Sequence, residues 1–381
     1  MKLSARVFLC SVCLCLLAPA AHAQTTTGSA DVWSFNVGLN GSYEGNALFV
    51  GPEENEEFSH AVQANLSRNF TLRRGSANLV LSGNQYFYRE STSLNDFRYN
   101  VGGGLSHALT RRLQWAGNTN LSSGLARDSE VLTEAGLVLP SVSTRTSSSS
   151  SMFSYALSRR SQISWTVSQA GVGFSSGLFQ GGSTLSSMVS WSRQVGRSQT
   201  LGISQDYGRT FTDAASTSVH GVFGTWSGTV GTWTAHANVG VRPFSVPEED
   251  GLRFTLGMSA GLTKPVRPGQ SMGITYDRTI SPTFGIDTGN HLLQAVTGNY
   301  TIALTRNVST AFGGSYSRGS NPVTPDRRVE GQTGTASLTY RMTQQLGLMF
   351  ATSLYSRKFP DAERATSYNM MTSLTYGFTW R

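Results

Sequence analysis

Apolar and polar residues alternate with a period of two along almost the whole chain after residue 31. In Leu252–Leu262 the positions Leu252, Phe254, Leu256, Met258, Ala260 and Leu262 are apolar, while Arg253, Thr255, Gly257, Ser259 and Gly261 between them are small or polar. The last fifteen residues repeat this. Tyr368, Met370, Thr372, Leu374, Tyr376, Phe378 and Trp380 form one set, and Asn369, Met371, Ser373, Thr375, Gly377 and Thr379 the other. Shorter runs of the same kind occur at Ala77–Leu81, Tyr99–Leu105, Ile163–Val167, Leu185–Trp191, Trp233–Val241, Tyr300–Leu304 and Ala336–Tyr340. A period of two puts the two sets on opposite faces of a β-strand, and helical spacing is nowhere sustained. The pattern predicts many strands, each apolar on one face only.

Short basic segments punctuate these strands: Leu66-Ser-Arg-Asn, Leu109-Thr-Arg-Arg, Leu157-Ser-Arg-Arg, Trp191-Ser-Arg, Leu262-Thr-Lys-Pro, Leu304-Thr-Arg-Asn and Leu338-Thr-Tyr-Arg, with a degenerate copy at Trp226-Ser-Gly-Thr. They recur every 34 to 48 residues, room for a strand, a loop and a returning strand. Most acids lie at the other ends, in Glu53–Glu57, Asp128–Glu134, Glu248–Asp250 and Asp361–Glu363. Eight basic turns imply about nine hairpins and about 18 strands, with 16 the alternative.

Composition sharpens this picture. Only 14% of the 381 residues are charged, against about a quarter in soluble domains, and the mean hydropathy is −0.20. Lys2 and Arg6, the apolar run Val7–Ala18 and Ala21-His22-Ala23 have the form of a signal peptide, too short in its core to span a bilayer. The expected organisation is therefore a cleaved signal peptide at 1–23, a short lead at 24–30, and a barrel at 31–381. All three cysteines (Cys10, Cys13, Cys15) fall in the signal segment. The mature chain then has no disulfide, cysteine-based metal site or catalytic thiol. No metal or cofactor is expected.

An exported sandwich or propeller would bury its apolar faces in a core and carry more charge outside. Strands with one lipid-compatible face and few charges fit a transmembrane, antiparallel, up-and-down β-barrel, which pairs every backbone group and leaves no edge in hydrocarbon. The tryptophans near strand ends suit a water–lipid boundary. About eighteen strands enclose a lumen too wide for side chains to fill, so it holds water.

Parity assigns the inward face. Candidate lumen-lining residues are Arg98, Asn100, His236, Asn238, Arg242, Arg253 and Arg357, along with Asn78 and Tyr355. The arginines would concentrate anions in the lumen, or else brace the wall through salt bridges. His107 shares the outward parity of Leu105 and Leu109. His236 is the better candidate for a Ser–His hydrolase site, although no Gly-x-Ser-x-Gly elbow is present. The basic residues are scattered around a ring without stacking aromatics, which argues against nucleic acid. Gly102-Gly103-Gly104 reads as a site of strand curvature.

The signal peptide, the Leu-Ser/Thr-Arg turns and the closing Tyr376-Gly-Phe-Thr-Trp380 together resemble a Gram-negative outer-membrane β-barrel of the porin type. The unit Leu157-Ser-Arg-Arg-Ser-Gln-Ile-Ser-Trp165 is similar to those of β-barrel porins found beside exopolysaccharide-export systems. The chain departs from the pattern in carrying Arg381 after the terminal aromatic. The resemblance implies location in the cell outer membrane and contact with the lipid bilayer and lipopolysaccharide. It also implies recognition of Tyr376, Phe378 and Trp380 by the barrel assembly machinery.

The leading expectation is passive passage of small hydrophilic solutes or a saccharide. The alternative is a non-conducting structural barrel, an adhesin or an accessory to polysaccharide secretion, with Leu125–Ser151 as a candidate plug. A hydrolase using His236 is the third reading. Oligomeric state is not encoded, because a subunit interface would resemble a lipid face.

Overall fold

The computed structural model describes residues 32–45, 56–92, 95–125, 143–175, 181–212, 216–245, 252–283, 289–320, 328–358 and 364–380. The expected signal peptide, the lead and most of the acid-rich segments lie outside these residues; Glu57 is described.

Eighteen strands follow one another. The first six are β1 (Val32–Gly45), β2 (Glu57–Leu72), β3 (Gly75–Tyr88), β4 (Phe97–Ala108), β5 (Leu113–Leu125) and β6 (Ser143–Ala156). Next come β7 (Ser161–Phe174), β8 (Gly182–Gln194), β9 (Gln199–Thr212), β10 (Ser216–Val230), β11 (Trp233–Ser245) and β12 (Leu252–Arg267). The last are β13 (Gln270–Thr283), β14 (Gly289–Ala303), β15 (Val308–Ser320), β16 (Arg328–Arg341), β17 (Leu346–Lys358) and β18 (Ala365–Trp380). Each strand pairs antiparallel with its successor, and β18 pairs with β1 from Trp33↔Trp380 to Gly45↔Tyr368. The sheet is a closed up-and-down barrel of eighteen strands, not sixteen. The terminal stretch is its seam.

Eight connections at one rim are only two to four residues long, at 73–74, 109–112, 157–160, 195–198, 231–232, 268–269, 304–307 and 342–345. The sequence predicted this number, but not every position. Leu109–Arg112, Leu157–Arg160 and Leu304–Asn307 are turns. Leu66–Asn69, Trp191–Arg193, Trp226–Thr229, Leu262–Pro265 and Leu338–Arg341 lie inside strands, and the chain reverses after them.

In four of the eight turns a hydroxyl, not the arginine, holds the reversal. Thr110 Oγ1 accepts hydrogen bonds from the backbone N–H of Arg112 and Leu113 at 3.1 and 3.0 Å. Thr305 does the same for Asn307 and Val308, and Thr343 for Gln345 and Leu346. Ser158 Oγ accepts from Arg160. Each hydroxyl satisfies backbone donors that the turn takes out of the ladder. Two of the tightest turns instead use a left-handed glycine, Gly231 at φ 62° and Gly269 at φ 77°.

The two faces divide as the alternation requires. Outward side chains such as Leu39, Val222, Phe254, Leu354 and Met370 are 56–69% exposed, with nothing of the chain over them. Only a handful of apolar residues are buried among those described. A water-soluble sandwich with this pattern would have no core; the surface suits hydrocarbon. Trp33, Trp115, Trp165, Trp191, Trp226 and Trp233 all share the outward parity and lie within four residues of a strand end at the short-turn rim. They form a belt on that side only. Tyr43, Phe58, Phe87, Phe97, Tyr316 and Tyr368 take the outward positions near the opposite rim.

The inward face is knitted by cross-strand hydroxyl pairs, each at 2.6 Å: Ser42–Ser59, Ser122–Thr146, Ser164–Ser190, Ser168–Ser186 and Ser315–Thr333. Inward glycines give room to polar side chains next door. A Cβ on Gly102 would lie 2.9 Å from Asn120 Oδ1, and one on Gly104 2.5 Å from Asn78 Oδ1. Gly102 and Gly104 thus make space for asparagines, in a run the sequence read as curvature. Of the expected plug Leu125–Ser151, Ser143–Ser151 belongs to β6 and forms wall, with its backbone paired to β5 and β7, while 126–142 lie outside the described residues.

Candidate solute path

The sequence-predicted lumen residues Arg98, Asn100, His236, Asn238, Arg242, Arg253 and Arg357 all share the parity opposite to the exposed Val101, Val239, Val241, Phe254 and Leu354. Asn78 and Tyr355 join them, and His107 takes the outward parity, opposite Trp115. The four arginines sit near the long-loop ends of β4, β11, β12 and β17. Arg98 and Arg253 therefore stand on nearly opposite walls of an eighteen-strand ring.

Arg98, Arg242 and Arg357 are laid against the wall, not extended into solvent. Arg98 is 9% exposed and Arg357 6%. The Arg98 guanidinium stacks on Tyr86 at 3.8 Å from the ring centroid and donates to the Tyr88 hydroxyl at 3.1 Å. Arg242 forms an ion pair with Asp206 on β9, reaching across β10 where Gly221 has no side chain to obstruct it. Its guanidinium also lies 5.3 Å from the Phe223 ring centroid. Phe223 in turn lies across Gly240 and Gly257, where a Cβ would come within 2.6 and 2.8 Å of the ring. For Arg242, the bracing role is the one the structure shows.

One hairpin end leaves the wall. Pairing between β12 and β13 stops at Met258↔Arg278, while β13 and β14 stay paired up to Thr283↔Gly289. Beyond the split, Ile280 and Leu292 carry the outward parity of Ile274 and Val296. Yet they pack against Phe244 and Val219, which point inward from β11 and β10. An outer face meets an inner face only if the hairpin end lies inside the ring. Phe244 and Ile280 are 2% and 5% exposed as a result. Arg242 secures this end: it donates to Thr279 Oγ1 and to the Ile280 carbonyl, at the edge β12 has vacated.

Several residues of the path escaped the sequence reading. Asp206 and Asp277 share the inward parity, as do Glu44 and Glu57 near the long-loop rim, so the inner face is mixed in sign. Their alternation with Ser204, Gly208, Thr275 and Thr279 was a usable signal. Nothing local marks Phe244 or Ile280, whose contact depends on the hairpin leaving the sheet. His236, the candidate hydrolase residue, lies with its imidazole across Gly261 on the neighbouring strand, a space-filling position in the wall. Among the described residues no group of three or more His, Cys, Asp or Glu side chains is placed to hold a metal ion.

No protein-family model matches the sequence, and no curated protein matches it. Solved structures do. Pseudomonas aeruginosa OccK2 (OpdF), in complex with glucuronate, superimposes with a TM-score of 0.51 at 11% identity, covering 91% of this chain and 98% of the other. Pseudomonas aeruginosa OccK11 (OpdR) gives 0.50 at 12% identity, covering 92% and 96%. A BenF-like porin from Pseudomonas fluorescens Pf-5 gives 0.49 at 10% identity, covering 91% and 99%. Likeness at such identities is one of fold: the chain has the closed-barrel fold of outer-membrane proteins of the porin type.

Proposed function

We propose that this protein is an outer-membrane channel for passive passage of small hydrophilic solutes, including saccharides. One observation carries the reading: an eighteen-strand ring whose inner face is hydroxyl, amide and glycine, while its outer face is bare hydrocarbon-compatible surface. Such a lumen is too wide to close by side-chain packing alone and stays wet. The acid-rich long loops then face outside, and the tryptophan belt with the short turns faces the periplasm. Arg98, Arg253 and Arg357 near the outer mouth favour anionic or strongly hydrated solutes, while Asp206 and Asp277 keep cations from being excluded outright.

Reconstitution of the purified barrel in planar bilayers tests the reading. Stepwise conductance that is weakly anion-selective is expected; folded protein that never conducts refutes it. The hairpin end inside the ring supports a second reading, a non-conducting structural barrel serving adhesion or polysaccharide secretion. Substitutions that release the hairpin separate the two, since they open a channel only if the rest of the lumen is continuous.

A further inference from the structure

Beyond the lumen, the outer wall of β15–β18 carries a row of cations at the long-loop rim. Arg318, Glu330 and Lys358 lie side by side on adjacent strands, all with outward parity. Arg364, just before β18, reaches the same surface: its guanidinium donates to Gln332 Oε1 at 3.4 Å and Ser356 Oγ at 3.3 Å. Arg328 stands one rank nearer the loops. Among the described residues this row holds Arg318, Lys358, Arg364 and Arg328 against the one acid Glu330.

On the same strands, toward the middle of the wall, lies a groove of about 710 Å³ that runs on into β1 and β2. Small residues such as Ala336 and Gly41 form its floor; Leu338, Phe350, Met370, Tyr43 and Phe58 form its sides. Between groove and cations sit Leu354, Tyr368 and Tyr316, an aromatic level fit for the headgroup boundary. From Thr352 in the groove to Lys358 is six residues, roughly 20 Å along the strand at about 3.3 Å per residue. A tilted strand turns this into the depth between a headgroup and the upper part of an acyl chain.

We propose that this face is a lipid-binding site for a phosphorylated glycolipid of the outer leaflet, whose phosphates lie on Arg318, Lys358 and Arg364 and one of whose acyl chains lies in the groove. Charge and shape point to the same ligand. Guanidinium and ammonium groups match phosphate, and the apolar groove has the wrong chemistry for a soluble anion. The inference rests on the barrel spanning the outer membrane, and it does not depend on conduction.

The test is native mass spectrometry of the folded full-length barrel in mild detergent, titrated with bisphosphorylated lipid A, phosphatidylethanolamine or inorganic phosphate. Folding is verified first by β-rich circular dichroism and heat-shifted gel mobility. Loss of either sinks the barrel reading itself, separately from the lipid site. Lipid A is expected to be retained preferentially. Each basic residue beside an anionic surface is worth roughly a factor of five, so Arg318→Ser/Lys358→Ser/Arg364→Ser together should weaken lipid A roughly a hundredfold. Filling the groove with Ala336→Phe should also weaken it, while Arg145→Ser/Arg209→Ser, outward on β6 and β9, should not. Equal affinity for lipid A and phosphatidylethanolamine, equal affinity for lipid A and inorganic phosphate, or an unchanged triple variant overturns the proposal.

Discussion

Arg242→Met removes the side chain that ties the hairpin end of β13 and β14 to the wall, while keeping its length and apolar stem. The ion pair with Asp206 is largely sheltered, with side-chain exposures of 15% and 23%. Removing one partner of a buried pair costs about 3 kcal/mol, chiefly because the other charge is left without compensation. The bond to the Ile280 carbonyl at the strand's free edge is lost as well. The contact of Phe244 and Val219 with Ile280 and Leu292 stays in place. The whole barrel should therefore fold, and the loss should fall on the hairpin.

A shift of about 3 kcal/mol changes the ratio of docked to undocked hairpin by roughly a hundredfold. Hydrogen exchange at the amides of Thr279, Ile280, Ser281 and Thr283 should speed up accordingly, and single-channel records should show larger or longer openings. Asp206→Asn keeps a hydrogen-bond acceptor and should shift both readouts only about fivefold, at roughly 1 kcal/mol. If Arg242→Met leaves exchange at 279–283 and the conductance histogram unchanged, the hairpin is not held by this residue and the reasoning fails.

Two further substitutions probe the wall itself. Phe378 meets Phe35 across the seam at 5.3 Å between ring centroids, so Phe378→Ser/Trp380→Ser should lower outer-membrane levels of the protein, measured by immunoblot of membrane fractions; normal levels would remove the seam from assembly. Thr305→Val deletes the hydroxyl that accepts from Asn307 and Val308 but keeps the shape. A loss of about 1 kcal/mol should appear as a lower unfolding midpoint in urea, whereas substituting the neighbouring Arg306 with Ser should change little.

The legibility of this chain follows from where its residues sit in the fold. Alternation assigned Arg98, Asn238, Arg242, Arg253 and Arg357 to the inner face, because parity in a strand is a strictly local property. Turn count was legible for the same reason. Turn position was less so: arginines caught the eye at Leu66–Asn69 and Trp191–Arg193, while the chain reverses a few residues on, at 73–74 and 195–198. The room that the glycines at 102 and 104 give was not legible because it serves neighbouring strands, in Asn120 and Asn78.

By itself the sequence determined that this protein is a closed barrel of about eighteen strands, with sixteen left open, with a wet face and an oily face, sealed by its last stretch against its first. Period-two patterning, few charges and repeated turns suffice, because a strand in hydrocarbon has one way to satisfy its backbone. Only the tertiary structure decided what happens inside and around the ring. The pairing of Arg242 with Asp206, the hairpin end folded onto Phe244, and the alignment of Arg318, Lys358 and Arg364 above one groove all join residues on different strands. Which residues become neighbours depends on register and closure, and no single strand carries that information in its own alternation.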